Sequence, residues 1–510
     1  MGRKPFFYDI TLRDGNQALK KPWNTEQKEV IFKELVKLGV QAVEVGFSGS
    51  SDMDFEACRH LASISPDNVI ISALARAVDK DITKVAEAIK QAEKPRIHTF
   101  IAMSPFNMRY VLKKDPMDVR KIAVDAVKYA KSLMGSKGEV QFSVEHFGDC
   151  SDNLSFVIDS LQEVVQAGAT IINLPNTVER NRPFELIKLV ETVKNALPQD
   201  IIISVHNHND LGMATATTVE SYFAGAEQLE CSLNGLGERA GNTNMYEVAI
   251  ALHNSGVEIP LNLSQIYETA ILTAEMADVP IHEKAPLIGE DSLAHRSGIH
   301  QDGALKTQNM KKGAYRPIHP TLIGRDDAEK YGFTSQSGKT ALYEIIKSKG
   351  YPITIEETLR LVPIAKEQAE KFGELPVESI EDIYLKEIFE VEGSFRFISF
   401  KKLDGDNMDK EMFNLKFSHK DKEYDLTEEG DGPIEVCAKA LTGIGFPLKL
   451  VHYEQEAFEQ ETKGAQADAM TVIQFETTDG KVITCRGKDP STQKANVKAI
   501  FNGINLIYKD

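Results

Sequence analysis

Eight runs of apolar residues recur along the first 280 positions at intervals of roughly thirty residues. They begin near Pro5 (PFFYDIT), Ala42 (AVEVGF), Val69 (VIISAL), Arg96 (RIHTFIA), Glu139 (EVQFSVEH), Thr170 (TIINLP), Ile201 (IIISVHNH) and Gln228 (QLECSLNG). Each has the length of a buried strand. Between them lie amphipathic stretches such as Thr25 to Leu38 and Asp118 to Leu133, long enough for the crossover helices that parallel strands require. Eight β-then-α units predict an α/β architecture, a (β/α)8 TIM barrel as catalytic domain over residues 1–280. A doubly wound sheet fits the same periodicity.

Polar positions favour the barrel, whose chemistry sits where the C-terminal ends of its strands face the mouth. The first run ends in Thr11-Leu12-Arg13-Asp14-Gly15-Asn16-Gln17, the second reaches Glu44, and the fourth carries His98. The fifth gives Ser143 and Glu145, the sixth Asn173 and Thr177, and the seventh His206 and His208. The eighth opens into Asn234-Gly235-Leu236-Gly237-Glu238-Arg239-Ala240-Gly241-Asn242. Any one of these, His98 or Ser143 for instance, also reads as a satisfied core polar group. Their common position at strand ends argues for a site.

After Val279 the pattern changes. Residues 281–390 form a linker region, first rich in Gly, His and charge (HEKAPLIGEDSLAHRSGIHQDG, then AYRPIHP) with little periodicity, then helical over Gln336–Lys349, Ile355–Phe372 and Ile380–Ile388. The last of these segments read as a small helical subdomain. Residues 391–510 read as strands followed by a helix, twice over: SFRFISFKKL, MFNLKFSH and KEYDLTEEG before Gly432-Pro433, then LKLVHYEQEAF, ADAMTVIQFET and KVITCRGKD before Pro490. Lys439-Ala440-Leu441 and Lys498-Ala499-Ile500 recur in the two helices. The expectation is an α+β domain built from two βββα units, whose pseudo-symmetric groove suits a small ligand. A plain dimerisation domain is the alternative.

Composition adds boundaries. With 510 residues and 42% hydrophobic content, the chain has material for two or three cored domains. The balance of 59 Lys+Arg against 76 Asp+Glu, net −17, argues against nucleic acid as a partner. No run is long and apolar enough to span a bilayer, and nothing after Met1 resembles a signal peptide, so a cytoplasmic protein without membrane contact is expected. Cys58, Cys150, Cys231, Cys437 and Cys485 are scattered and odd in number, which reads as free thiols.

The sharpest chemical signal is His206-x-His208 at the end of a β-branched run, since residues i and i+2 of a strand face the same side. A solvated polar strand end is the alternative. With Asp14 and Asn242 from other strand ends, the pair offers two imidazole nitrogens, a carboxylate and an amide oxygen. That donor set suits Mg, Mn or Zn and leaves open coordination positions. A 2-oxo acid chelating through carboxylate and ketone oxygens fits there, with Arg13 placed to stabilise charge on the ketone oxygen under attack.

TLRDGNQ, VEVGF, HTFIAMSP, HNHND and NGLGERAGN together resemble the 2-isopropylmalate synthase family, within a wider group that includes homocitrate and citramalate synthases. GIHQDG, YRPIHP, SQSGK and the duplicated tail extend the likeness over essentially the whole chain. The resemblance implies condensation of acetyl-CoA with 3-methyl-2-oxobutanoate, metal ligation by Asp14, His206, His208 and Asn242, and acid–base work by Glu145, His300 and Tyr315. It implies a homodimer with composite active sites, because His300 and Tyr315 belong to the linker, and leucine as effector of the tail. His98, Ser143 and Asn173 match the polar acceptor pocket of this family, with Arg13 and Thr177 beside them; citramalate synthase, with pyruvate as acceptor, and homocitrate synthase are the alternatives. The glycines of the Asn234, Gly235, Gly237, Glu238 stretch suggest close approach of backbone to CoA. Ser48, where the family has proline, and Asn176, where an acidic residue is usual, depart from the pattern. The loop after the eighth run lacks the cysteine of a hydroxymethylglutaryl-CoA lyase.

Overall fold

The structure, a computed structural model, describes residues 4–307, 309–325, 330–403, 411–458, 467–477 and 480–508. Two compact units emerge: Met1–Leu293 with Ile318–Ala328, and Ala294–Pro317 with Glu329–Asp510.

The first unit is a closed parallel barrel. Strands β1 (Phe6–Asp9), β2 (Ala42–Glu44), β3 (Ile70–Arg76), β4 (Lys94–Ala102), β5 (Glu139–Glu145), β6 (Ile171–Asn176), β7 (Ile202–Asn207) and β8 (Gln228–Cys231) pair in sequence order, and β1 closes on β8 with Phe6 opposite Gln228. Helices α1 (Thr25–Leu38), α2 (Asp52–Ile64), α3 (Asp79–Ile89), α4 (Pro116–Met134), α5 (Leu154–Gln166), α6 (Pro183–Ala196), α7 (Ala214–Phe223) and α8 (Met245–Asn254) follow the strands, with α9 (Ile266–Ala277) after them. The first helix shows why the chain folds this way locally. Ile31, Phe32, Leu35 and Leu38 form one buried stripe, Asn24 and Gln27 make a reciprocal cap at its start, and Gly39 at φ 89° ends it in the left-handed region.

Alternation divides each strand between two environments. On β7, Ile203 and Val205 join the apolar layer between strands and helices, whereas Ser204 and His206 share hydrogen bonds with the interior residue Glu230. The interior is polar well below the mouth. Arg96, only 1% exposed, gives Nε and Nη2 to Glu139 and Nη1 to Gln141 and Gln228, with its guanidinium over the rings of Phe6 and Tyr8. A buried guanidinium is tolerable only when its donors are so occupied. No described helix is long and apolar enough to cross a membrane.

In the second unit, β9 (Ala294–His295) pairs in parallel with β10 (Lys330–Tyr331). Helix α10 (Gly298–Lys306) occupies a stretch in which periodicity predicted no element. Its anchor is polar: buried Gln301 donates through Nε2 to the carbonyls of His295 and Gly332. Helices α11 (Lys339–Ser348), α12 (Ile355–Phe372) and α13 (Val377–Phe389) follow. The tail is the expected pair of βββα units, β11 (Phe395–Leu403), β12 (Glu411–His419), β13 (Lys422–Gly430) and α14 (Pro433–Gly443), then β14 (Lys449–Phe458), β15 (Asp468–Glu476), β16 (Val482–Asp489) and α15 (Thr492–Ile507). Ala440, Leu441, Ala499 and Ile500 are all buried in one core, which accounts for the repeated tripeptides. A buried ion pair, Arg486 Nε to Glu357 Oε1 at 2.8 Å, joins α12 to β16.

Candidate active site

At the C-terminal mouth of the barrel a cavity of about 130 Å3 is lined by Arg13, Asp14, His98, Ser143, Glu145, Asn173, Thr177, His206 and His208, with Leu74, Phe100, Pro175 and Glu230. Strand ends that are distant in sequence therefore meet in one place.

The turn after β1 presents Arg13 and Asp14. Buried Asp9 accepts from the Thr11 backbone N–H and hydroxyl, and Thr11 Oγ1 in turn accepts from the Leu233 N–H, which fixes this turn to the loop after β8. Arg13 donates Nε to Glu44 Oε2 at 2.6 Å, and its Nη1 lies 3.3 Å from Asp14 Oδ2. Glu44 is fully buried, and its other oxygen meets His98 Nδ1 at 2.5 Å and the Tyr8 hydroxyl at 3.0 Å. His98 Nε2 is 2.6 Å from Ser143 Oγ, which accepts from Asn173 Nδ2 at 2.8 Å. A single hydrogen-bonded chain thus runs Arg13–Glu44–His98–Ser143–Asn173, from the turn after β1 through four strands. Asn173 Oδ1, buried, has no partner. Burial raises the Glu44 carboxyl, but Arg13 and then His98 outweigh it and hold the group far below the usual carboxylate range.

On the other side, His206 Nε2 and His208 Nε2 face each other at 3.2 Å, with Asp14 Oδ2 at 3.5 Å and 3.8 Å from them. His206 Nδ1 is 3.0 Å from Glu230 Oε2, an arrangement that puts the ring proton on Nδ1 and turns the Nε2 lone pair toward Asp14. Burial, then the neighbouring His206, pull His208 down to about 3, so its ring is uncharged near neutrality. Burial alone would raise Asp14; Arg13 and the two imidazoles hold it below its ordinary value. A carboxylate and two imidazoles aimed at one another are a cation-binding donor set, and these three ligand atoms lie within 4.8 Å of each other.

Asn242 does not line the cavity. Its backbone pairs with His208, its Nδ2 donates to the Leu236 carbonyl, and its Oδ1 is buried without a partner, the state expected of an amide oxygen reserved for an ion. The glycines around it have a structural explanation. A Cβ on Gly237 would stand 2.2 Å from Asn242 Nδ2, and one on Gly241, at φ 97°, would stand 2.3 Å from the Gly235 carbonyl oxygen. The loop therefore folds tightly on itself to deliver Asn242. Asn234, left-handed at φ 54°, donates to the Ala270 carbonyl, and Glu238 is exposed on the rim.

Glu145 ends β5 in the cavity, and burial raises its carboxyl above the usual value. Thr177 lines the same space and accepts from the His146 N–H. His300 and Tyr315 belong to the second unit, where their rings stack at 4.2 Å and both side chains are exposed. Two partners carried no role in the sequence reading: Glu44 as the clamp on Arg13 and His98, and Glu230 behind His206. The available signal for Glu230 is alternation, since Gln228 and Glu230 share the inner face of a strand whose Leu229 and Cys231 belong to the apolar layer.

Comparison with known proteins gives the family. A family profile described as HMGL-like matches residues 4–272, one described as alpha-isopropylmalate synthase, post-catalytic domain-like, matches 290–347, and one described as LeuA allosteric (dimerisation) domain matches 374–508. The chain is 60% identical to 2-isopropylmalate synthase 2 of Leptospira interrogans over 74% of its own length and 88% of the relative's. It is 34% identical to the 2-isopropylmalate synthase of Aquifex aeolicus, over 99% of this chain and 96% of that one, and 34% identical to that of Pyrococcus furiosus, over 99% and 100%. With its catalytic barrel, post-catalytic segment and allosteric domain all matched in order, the chain belongs to the 2-isopropylmalate synthase family, whose members are acyltransferases.

Proposed function

We propose that the chain joins the methyl carbon of acetyl-CoA to the ketone carbon of 3-methyl-2-oxobutanoate and hydrolyses the thioester, releasing 2-isopropylmalate and CoA, the first committed step of leucine synthesis. The observation that carries this reading is the placement, in one cavity, of the Asp14–His206–His208 cluster beside Arg13 and Glu145. A divalent ion held by Asp14, His206, His208 and Asn242 would supply Lewis-acid polarisation of the ketone.

The remaining work falls to the protein's own groups. Arg13, fixed by Glu44 and pointing along Asp14, balances the negative charge that develops on the ketone oxygen as the carbon–carbon bond forms. The His98–Ser143–Asn173 chain presents polar atoms to the acceptor, Thr177 adds a hydroxyl, and Leu74, Phe100 and Pro175 give its alkyl end an apolar wall. Glu145, whose raised affinity for protons suits a base, takes a proton from the thioester methyl. His300 and Tyr315 complete the acid–base set over the barrel of a partner subunit in a homodimer, and leucine acts as effector through the tail. The chain works in the cytoplasm.

CoA release measured with a panel of 2-oxo acids, with and without each amino acid, tests acceptor and effector together. Preference for 3-methyl-2-oxobutanoate over pyruvate by about ten- to two-hundredfold in kcat/KM is expected, the worth of one or two methylenes in such a pocket. Pyruvate as the better acceptor would make it a citramalate synthase.

A further inference from the structure

The residues that build the site stand on a second polar layer, two positions upstream on each strand. Arg96 precedes His98 on β4, Gln141 precedes Ser143 on β5, Ser204 precedes His206 on β7 and Gln228 precedes Glu230 on β8, so each pair shares the inner face of its strand. All four residues of the lower layer are buried. Barrel interiors are ordinarily filled by bulky branched apolar side chains, so a polar layer calls for a reason.

The hydrogen bonds of this layer have a direction. A guanidinium only donates, and Arg96 Nη1 faces Gln228 Oε1 at 2.6 Å and Gln141 Oε1 at 3.2 Å. Both amides therefore turn their oxygens to Arg96 and their nitrogens away from it. Gln228 Nε2 donates to Gln141 Oε1 and to Ser204 Oγ, both at 2.9 Å. Ser204, having accepted there, gives its own proton to Glu230 Oε1 at 3.1 Å, and Gln141 Nε2 reaches the same oxygen at 2.7 Å. Glu230 Oε2 is left to accept from His206 Nδ1, 3.0 Å away. The donors thus run in one sense, from Arg96 below to Glu230 beneath the mouth. An amide turned end for end would set an N–H against Arg96 and a carbonyl oxygen against another acceptor, so no link reverses alone. The pairing of Arg96 with Glu139 is separate: Nε and Nη2 meet that carboxylate at the part-exposed start of β5, while Nη1 serves the amides.

We propose that Arg96, Gln141 and Gln228 are positioning residues of the ion site: the buried guanidinium sets the sense of both amides, the amides hold Glu230 as an acceptor, and Glu230 keeps the proton of His206 on Nδ1, with Nε2 open toward Asp14 and His208. This assignment rests on the ion-site reading above. The test uses the full-length protein, free of metal, with isotopically labelled histidine, the His206 nitrogen resonances being assigned by their loss in His206→Asn. In the wild type these resonances should place the ring proton on Nδ1. In Arg96→Met the amides lose the donor that orients them, so His206 should show both tautomers, and its affinity for manganese ion, measured by calorimetry, should fall about tenfold or more. Glu139→Gln removes the ion pair but leaves Nη1 on the amides, and should keep the wild-type tautomer and the wild-type affinity. If Arg96→Met does not fold, Gln141→Met, which removes the shortest hydrogen bond to Glu230 Oε1, is read by the same two measurements. A wild-type tautomer or a wild-type affinity in the folded variant overturns the assignment. So does an equal loss in Glu139→Gln, which would leave Arg96 as half of a structural ion pair. Wild-type protein that binds no manganese overturns the ion site itself and this role with it, a result distinct from an ion-binding wild type matched by its variant.

Discussion

Glu230 is the residue whose removal should tell most about the metal centre. Its carboxylate stands behind His206 and is shared between His206 Nδ1, the Ser204 hydroxyl and Gln141 Nε2, all inside the barrel. Replacing it by Gln keeps the volume but lets the amide nitrogen meet His206, which frees the ring to turn or change tautomer. Divalent-ion affinity measured by calorimetry should drop about ten- to a hundredfold in a protein that still unfolds cooperatively, the usual cost of losing a hydrogen-bond partner of a ligating histidine. Unaltered affinity would mean that the pocket walls alone hold the ring. Asp9 makes a separate prediction. Burial first, against the two hydrogen bonds from Thr11, pushes its carboxyl up to about 7. Between its unfolded value near 4 and about 7, the folded state holds a proton that the unfolded state has lost, so Asp9 costs stability as pH rises through that window, at most about 1.4 kcal/mol per pH unit. Asp9→Asn should therefore gain stability relative to wild type between pH 5 and pH 8, as read from denaturation midpoints; a constant difference would refute the protonated carboxyl. His206 and His208 were legible in the sequence because two imidazoles two positions apart on a strand share a face. Glu230 was not, and Glu44 was legible only as a polar strand end without a role, because their partners come from other strands and depend on register.

At the scale of the element, the loop after β8 is tied to its neighbours by side-chain hydrogen bonds. Arg239, left-handed at φ 55°, grips Asp210 through two nitrogens and reaches the Thr177 carbonyl, while Glu179 accepts from the Leu211 N–H. Loops after β6, β7 and β8 are thus cross-braced around His208 and Asn242. Gly237→Ala should displace the Asn242 amide, since its Cβ has no room there. The expected outcome is weakened ion binding and a fall in kcat with little change in melting temperature, because the barrel core is untouched; a variant with wild-type ion affinity would show that the loop relaxes. The strands were readable because their outward residues are mostly apolar, and α1 because its stripe and both caps are written locally. Helix α10 was not, for it is anchored by Gln301 to backbone carbonyls and carries no apolar stripe. The glycines read as ligand-facing from sequence; their crowding against Asn242 and Gly235 depends on a fold that spacing cannot show.

For the whole molecule, the tail and the barrel unit divide the labour. Deletion from about Gly393 onward should abolish any inhibition by leucine and lower activity, and calorimetry that finds no leucine binding to the full-length protein would leave the tail as a dimerisation element. The order of domains was legible as a change of period from strand–helix alternation to a twice-repeated βββα pattern, and α14 and α15 confirm the repeat at the level of buried Ala-Leu and Ala-Ile pairs. The closure of β1 on β8 carries a consequence for biosynthesis. Asp14 follows β1, near the beginning of the chain, while the histidines and Asn242 flank β7 and β8, so no fragment still tethered short of Cys231 can assemble the ion site. The pairing of strands so far apart in sequence has a high entropic cost and forms late. As the polypeptide leaves the ribosome, the first capture of a divalent ion should therefore mark the moment at which the last strand docks, and stalled chains of increasing length should acquire it in a single step.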